Sequence, residues 1–164
     1  MKKPVLSILS ALTGAAIGAG AMGKASKDRL NIVRSYRDKH LALFLMMNEW
    51  VKVKQQGKNL ADFFVKNGYK KIAIYGMSYA GETLVDELKG SEVTVAYGID
   101  KNADSLYADV EIVSMEDDLE EVDAIIVTTV MHFDEITELL QKKVKCPVLS
   151  LENIIDELFL NCLE

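Results

Sequence analysis

The stretch "KKIAIYGMSYAGETLVDEL" (residues 70–88) decides how the rest of the chain is read. Residues 72–75 form an apolar run that ends at Gly76, and a helix over 80–89 follows, so the segment reads as buried strand, sharp turn, helix. The turn fits two incompatible patterns. Gly76-Met77-Ser78-Tyr79-Ala80 matches the G-x-S-x-G/A elbow that exposes a nucleophilic serine. Extended to Gly81, the same residues match a phosphate-cradling G-x-G-x-x-G loop with Ser78 in place of the middle glycine.

The pattern continues downstream as alternating units. Strand 93–99 ends at Asp100, and a short strand over 110–113 precedes an acidic helical turn at 115–121. Strand 124–130 leads into helix 133–143, and strand 147–151 into helix 152–160. β-Branched runs separated by helices mark a parallel sheet covered on both faces, so the expected fold is α/β, a doubly wound five-stranded parallel sheet of order 3-2-1-4-5. Ligands of such sheets bind beyond the strands' C-terminal ends, near the switch point between strands 1 and 4. That places the turn 76–81, Asp100-Lys101, Thr128, Thr129 and His132 around one crevice.

Helices precede the sheet. Asn59, with Asp62 three residues on, caps a short helix that Gly68 stops, and residues 28–56 form one long helix ended by Gly57. In the long helix Leu30, Val33, Arg37, His40, Phe44, Met47 and Val51 keep a three-to-four spacing, and the broad patch "LALFLMM" needs burial on more than one face. This face is the expected contact of a homo-oligomer or of the globular domain. His40 reads as structural and Trp50 as a packing anchor. Residues 4–23 are apolar or small, with Ser7, Ala11, Ala15, Ala19 and Gly23 every fourth residue, a small-residue stripe of the kind that packs membrane helices. The segment fits a membrane-associated helix. The alternatives are a signal peptide cleaved near Ala19-Gly20-Ala21 and a soluble Ala/Gly-rich helix on a partner. The expected divisions are 1–27, an anchor helix; 28–68, a helical linker or oligomerisation segment; and 69–164, the nucleotide-binding domain.

Charge divides the chain as well. Residues 1–71 carry 14 Lys and Arg against 4 Asp and Glu, whereas residues 72–164 carry 5 against 21, for a net charge of −6. An acidic globular half excludes nucleic acid as the partner, because a phosphate backbone requires a basic stripe. The basic flank from Lys24 to Lys39 outweighs Lys2-Lys3, which by the positive-inside rule keeps the C-terminal domain at the cytoplasmic face of the membrane. Two cysteines, Cys146 and Cys162, without metal-ligand spacing read as reduced thiols, and no metal site is expected.

Between the two readings of the turn, the elbow has the chain order Ser78, Asp100, His132 in its favour, the order of α/β-hydrolases. Against it, only helices precede strand 1, which leaves half of the oxyanion hole without a source. The phosphate-loop reading needs less. Gly76 permits the tight turn, Gly81 lets the helix pack on the sheet, and the Ser78 hydroxyl replaces a glycine N–H approach with a donor. Asp100, 24 residues beyond Gly76, would bind ribose hydroxyls and favour NAD over NADP. The candidate ligand-binding residues are Gly76, Met77, Ser78, Tyr79, Gly81, Asp100, Lys101, Thr128, Thr129 and His132, and none is assigned a catalytic role.

The residues "GYKKIAIYGMSYAGETLVDEL", "VAYGIDKNAD", "VDAIIVTT" and "FDEI" resemble the nucleoside-diphosphate-sugar epimerase-like Rossmann domains that accompany bacterial cell-surface polysaccharide enzymes. They are also similar to the nucleotide-sugar-binding domain in front of some sugar O-acyltransferases. The resemblance covers about residues 58–160 and implies binding of NAD or a UDP-sugar in surface-glycan metabolism. It brings no catalytic apparatus, because the Tyr-x-x-x-Lys pair of true epimerases has no counterpart beyond strand 4. The only such spacing, Tyr97 with Lys101, sits on strand 2 and its end. The expected function is a nucleotide- or nucleotide-sugar-binding accessory or sensor protein. The alternatives are an NAD-dependent epimerase or dehydrogenase completed by a partner chain, and a dimeric scaffold that binds no nucleotide.

Overall fold

The structure is a computed structural model that describes residues 30–103 and 109–160. Residues 4–23 and Cys162 lie outside the described residues. The chain divides into two compact units, residues 1–41 and 42–164. In the first, the described residues 30–41 are helical, and Arg37 bridges to Asp38 at 2.7 Å.

The helix begun there, α1 (residues 30–55), belongs from Ala42 onward to the second unit. Then follow α2 (Leu60–Lys66), β1 (Lys71–Tyr75), α3 (Tyr79–Leu88), β2 (Thr94–Ile99), β3 (Ile112–Val113), β4 (Ala124–Val127), α4 (Phe133–Leu140), β5 (Val148–Ser150) and α5 (Leu151–Leu160). The five strands are all parallel in the order β3-β2-β1-β4-β5, the expected doubly wound sheet.

The pleat explains the layers. Ile72 and Ile74 of β1 enter one core, and Ala73 and Tyr75 enter the other. Helix α3 joins β1 to β2 and packs Ala80, Leu84, Val85 and Leu88 on the first face. Helix α4 joins β4 to β5, on the other side of β1, and packs Ile136 and Leu140 on the second face. Right-handed crossovers leaving a central strand in opposite directions must put their helices on opposite faces. The first face is the more heavily covered, with Met46, Trp50 and Val53 of α1, Leu60 and Phe64 of α2, and Leu151, Ile154 and Ile155 of α5. The compact unit takes in residues 42–68 of the helical segment 28–68, and their apolar side chains pack in the same core as β1 and β4. Only part of the apolar patch of α1 is covered: Met46 is buried, Leu43 and Met47 pack at the edge of the core, and Phe44 and Leu45 stay exposed.

Several local features differ from the sequence reading. The acidic segment 115–121 contains a turn and no helix, because Asp117 and Ser114 bond to the local backbone instead. Its apolar residues Met115 and Leu119, with Val122 just beyond, still cover the second face. Tyr97 pins the segment by donating its hydroxyl to the Glu120 carbonyl at 2.7 Å. Asn59 occupies the N-cap of α2 without a side-chain capping bond, since its Oδ1 accepts from the Lys54 ammonium. The α2 N-terminus is instead satisfied by Glu87, which accepts from Leu60 N–H at 2.8 Å, Trp50 Nε1 at 2.6 Å and Lys54 Nζ at 3.1 Å.

Candidate functional site: the β1–α3 turn and the switch point

β1 ends under a clamp from β4. Thr128 N–H donates to the Tyr75 carbonyl at 3.0 Å, and its buried hydroxyl donates to the Gly76 carbonyl at 2.6 Å. Gly76 has φ +95°, a region L-residues rarely enter, and a Cβ there would stand 2.7 Å from Thr128 Oγ1. Gly76 N–H continues the ladder to the Ile99 carbonyl at 2.9 Å. Gly81 brings α3 against this turn so closely that a Cβ would lie 2.4 Å from the Gly76 carbonyl oxygen. Both glycines of the motif are thus sterically required.

The residue between Gly76 and Ser78 turns inward. Met77 is buried and packs over Gly98 of β2, where a Cβ would meet its Cγ at 2.6 Å and its Sδ at 2.8 Å. Its N–H donates to Asp100 Oδ2 at 3.0 Å, and Asn102 N–H donates to Oδ1 at 3.0 Å. Asp100 therefore braces the turn from the end of β2. Ser78 is exposed, in extended backbone (φ −102°, ψ −165°), at the N-cap of α3 with no side-chain capping bond. The first N–H groups of a helix have no intrahelical partner, so this end of α3 carries donors and partial positive charge. Tyr79 beside it is 74 % exposed.

The structure thus ties Gly76, Met77, Gly81, Asp100 and Thr128 together, with the Thr129 hydroxyl 3.2 Å from where a Gly76 Cβ would stand. Ser78 and Tyr79 form the exposed rim, and Lys101 is exposed in the turn after Asp100. His132 is apart from this knot in its bonding. It starts α4 in the left-handed region (φ 64°, ψ 25°), the only such non-glycine among the described residues, and its Nδ1 faces Glu135 Oε2 at 3.3 Å. A nucleophile elbow requires a strained serine and a histidine that reaches it. Here Ser78 is unstrained, both Asp100 oxygens hold backbone N–H groups, and the imidazole pairs with Glu135.

Two residues of this region escaped the sequence reading. Gly98 could have been found, because a glycine inside a strand signals a close approach. Tyr75 carries no such signal. It is buried on the second face, and burial first, with the Asp100 charge second, raises its phenol pKa.

No protein-family model matches the chain, and no curated protein matches it. What stands is a Rossmann-like parallel α/β sheet. Among the described residues no helix is long and apolar enough to cross a membrane, and no three His, Cys, Asp or Glu side chains converge as metal ligands.

Proposed function

We propose that the chain binds a nucleotide or nucleotide-sugar, NAD or a UDP-sugar, with its phosphates at the α3 N-terminus, and performs no chemistry of its own on it. The observation that carries this reading is the contact between Gly76 and Gly81, which holds an uncapped, solvent-facing helix terminus at the switch point of the sheet. The motif's other residues support it in two ways: Met77, Asp100 and Thr128 hold the turn rigid, and Ser78 and Tyr79 remain open to a ligand. The bonding of Asp100 and His132 supports the reading without a serine nucleophile, since neither side chain is paired with Ser78. A role as accessory or sensor subunit of bacterial surface-glycan assembly, as a homo-oligomer at the cytoplasmic face of the membrane, completes the proposal. It draws on the resemblance of the motif segments to epimerase-like domains.

One observation favours the scaffold alternative. Met77 N–H, a donor of the turn, is already taken by Asp100. The two readings separate in a thermal-shift and calorimetric titration of the full chain with NAD, NADP, UDP and UDP-glucose. Ligand at ~100 times its dissociation constant stabilises the native state by about 2.7 kcal/mol, an upward shift of several degrees. Ser78→Asp then locates the site, because aspartate caps a helix as well as serine while its charge opposes a phosphate. A tenfold or greater loss of affinity with an unchanged melting temperature is expected. Undiminished binding by Ser78→Asp would remove the phosphates from this terminus, and a folded wild type that binds none of the four would establish the scaffold.

A further inference from the structure

Helix α3 opens on an aromatic side chain that folding does not use. Tyr79 is 74 % exposed, more than any other large apolar side chain among the described residues. It joins neither core, and its ring has no part in the aromatic and cation contacts of the described residues, which pair Phe63 with Phe64 and Lys52 with Phe159. The bond it does make is through its backbone: the carbonyl accepts from Thr83 Oγ1 at 2.7 Å, as that of any residue could. Tyrosine is also a poorer helix former than alanine, so the ring costs the helix a little and brings it no packing. Its neighbours behave otherwise. Met77, Ala80 and Gly81 are buried, Gly76 has no side chain and Ser78 has a small one, which leaves Tyr79 as the one large side chain that residues 76–81 expose. Side chains on a helix lean toward its N-terminus, which directs a ring at the first helical position toward the end that carries the free N–H groups.

We propose that Tyr79 is a specificity-determining residue, whose ring stacks on the base of a bound nucleotide. This rests on the reading above, with phosphates at the α3 N-terminus, and narrows it: the base folds back over the first turn of α3, and phosphate compounds without a base bind less well. The backbone N–H groups of a helix terminus recognise any phosphate alike, so they cannot choose among phosphate compounds. The choice falls to a side chain beside them. A phenol offers a flat apolar face with a polar tip, and a planar heterocycle covers that face fully, whereas a sugar ring with its hydroxyls covers it in part. Every base has such a face, so Tyr79 separates nucleotides from other phosphates without selecting uracil over adenine.

The test measures melting temperature and calorimetric affinity for UDP, NAD, glucose 1-phosphate and pyrophosphate in the full chain, as wild type, Tyr79→Ala, Tyr79→Phe and, as an exposed aromatic elsewhere, Tyr36→Ala. Tyr79→Ala is expected to melt as wild type does and to bind its nucleotide about five- to a hundredfold more weakly, the usual worth of one base–aromatic stack, with pyrophosphate affinity unchanged. Tyr79→Phe and Tyr36→Ala are expected to bind as wild type does. Undiminished nucleotide binding by Tyr79→Ala would overturn the assignment. So would an equal loss for pyrophosphate, which would make Tyr79 a phosphate contact, or a loss in Tyr79→Phe as large as in Tyr79→Ala, which would assign it to the hydroxyl. A wild type that binds pyrophosphate or glucose 1-phosphate as tightly as the nucleotides would leave the phosphate terminus standing and overturn the stacking alone. A wild type that binds none of the four would bring down the nucleotide reading and this one with it.

Discussion

Replacing Glu87 with alanine tests whether one carboxylate joins three helices of the compact unit. Its side chain is 7 % exposed and accepts from Trp50 Nε1 at 2.6 Å, Leu60 N–H at 2.8 Å and Lys54 Nζ at 3.1 Å. These donors come from α1, the start of α2 and α1 again, and the acceptor comes from α3. Truncation strands the indole and the backbone N–H, each costing about 1–3 kcal/mol when left unpaired. Lys54 is 41 % exposed, so solvent screening reduces its share to about 0–1 kcal/mol. The expected loss is about 3–5 kcal/mol, a large part of the roughly 5–15 kcal/mol that stabilises an ordinary domain. Urea unfolding followed by Trp50 fluorescence reads it directly. With a slope of about 1.5–2 kcal/mol per molar urea, the midpoint falls by roughly 1.5–3 M at unchanged slope. Glu87→Gln retains one acceptor oxygen and sets an amide N–H₂ against the second donor, so it should lie between alanine and wild type. A Glu87→Ala protein within about 0.5 kcal/mol of wild type, the range of an ordinary surface substitution, would refute the clamp.

Two further perturbations probe the turn and the sheet edge. Gly98→Ala drives a Cβ into Met77 and should cost about 1–3 kcal/mol; combined with Met77→Ala, which removes the obstructing Cγ and Sδ, the double variant should be less destabilised than the sum of the singles. Strict additivity in urea unfolding would mean that the two do not touch. Asp123 accepts from Lys71 and Lys70 N–H at 2.7 and 2.8 Å, and these bonds hold its carboxyl below the ordinary 3.8. A folded-state pKa below the unfolded one gives stabilisation that is present at neutral pH and lost as pH falls through the folded value. Asp123→Asn should therefore unfold at lower urea than wild type at pH 7, with the gap narrowing below pH 3.8. A gap independent of pH would assign the loss to something other than the charge.

Much of the architecture was legible in residues 70–160. The order 3-2-1-4-5 follows from apolar β-branched runs alternating with helical segments, because strands buried on both faces must be apolar throughout and right-handed connections leave few arrangements. The sequence also determined where the turn at the switch point would lie. Gly76 and Gly81 mark the turn because a positive φ and a Cβ-free contact admit only glycine. Tertiary structure decided what the residues around that turn do. Asp100 reads in sequence as a ribose ligand, yet its oxygens also brace Met77 and Asn102, since a loop N–H lies within reach once β1 and β2 are neighbours. Thr128 reads in sequence as a candidate crevice residue, and its hydroxyl proves to clamp the Gly76 carbonyl, a contact 52 residues apart in the chain. The patch "LALFLMM" announces burial on more than one face, and only the packed sheet shows which of the α1 residues it takes, Met46 with Trp50 and Val53, while Phe44 and Leu45 stay exposed. Tyr75 and Tyr97 are alike as sequence, each an aromatic in an apolar strand. That Tyr97 bonds to Glu120 depends on a carbonyl from a distant loop arriving beside it, and no local pattern records that.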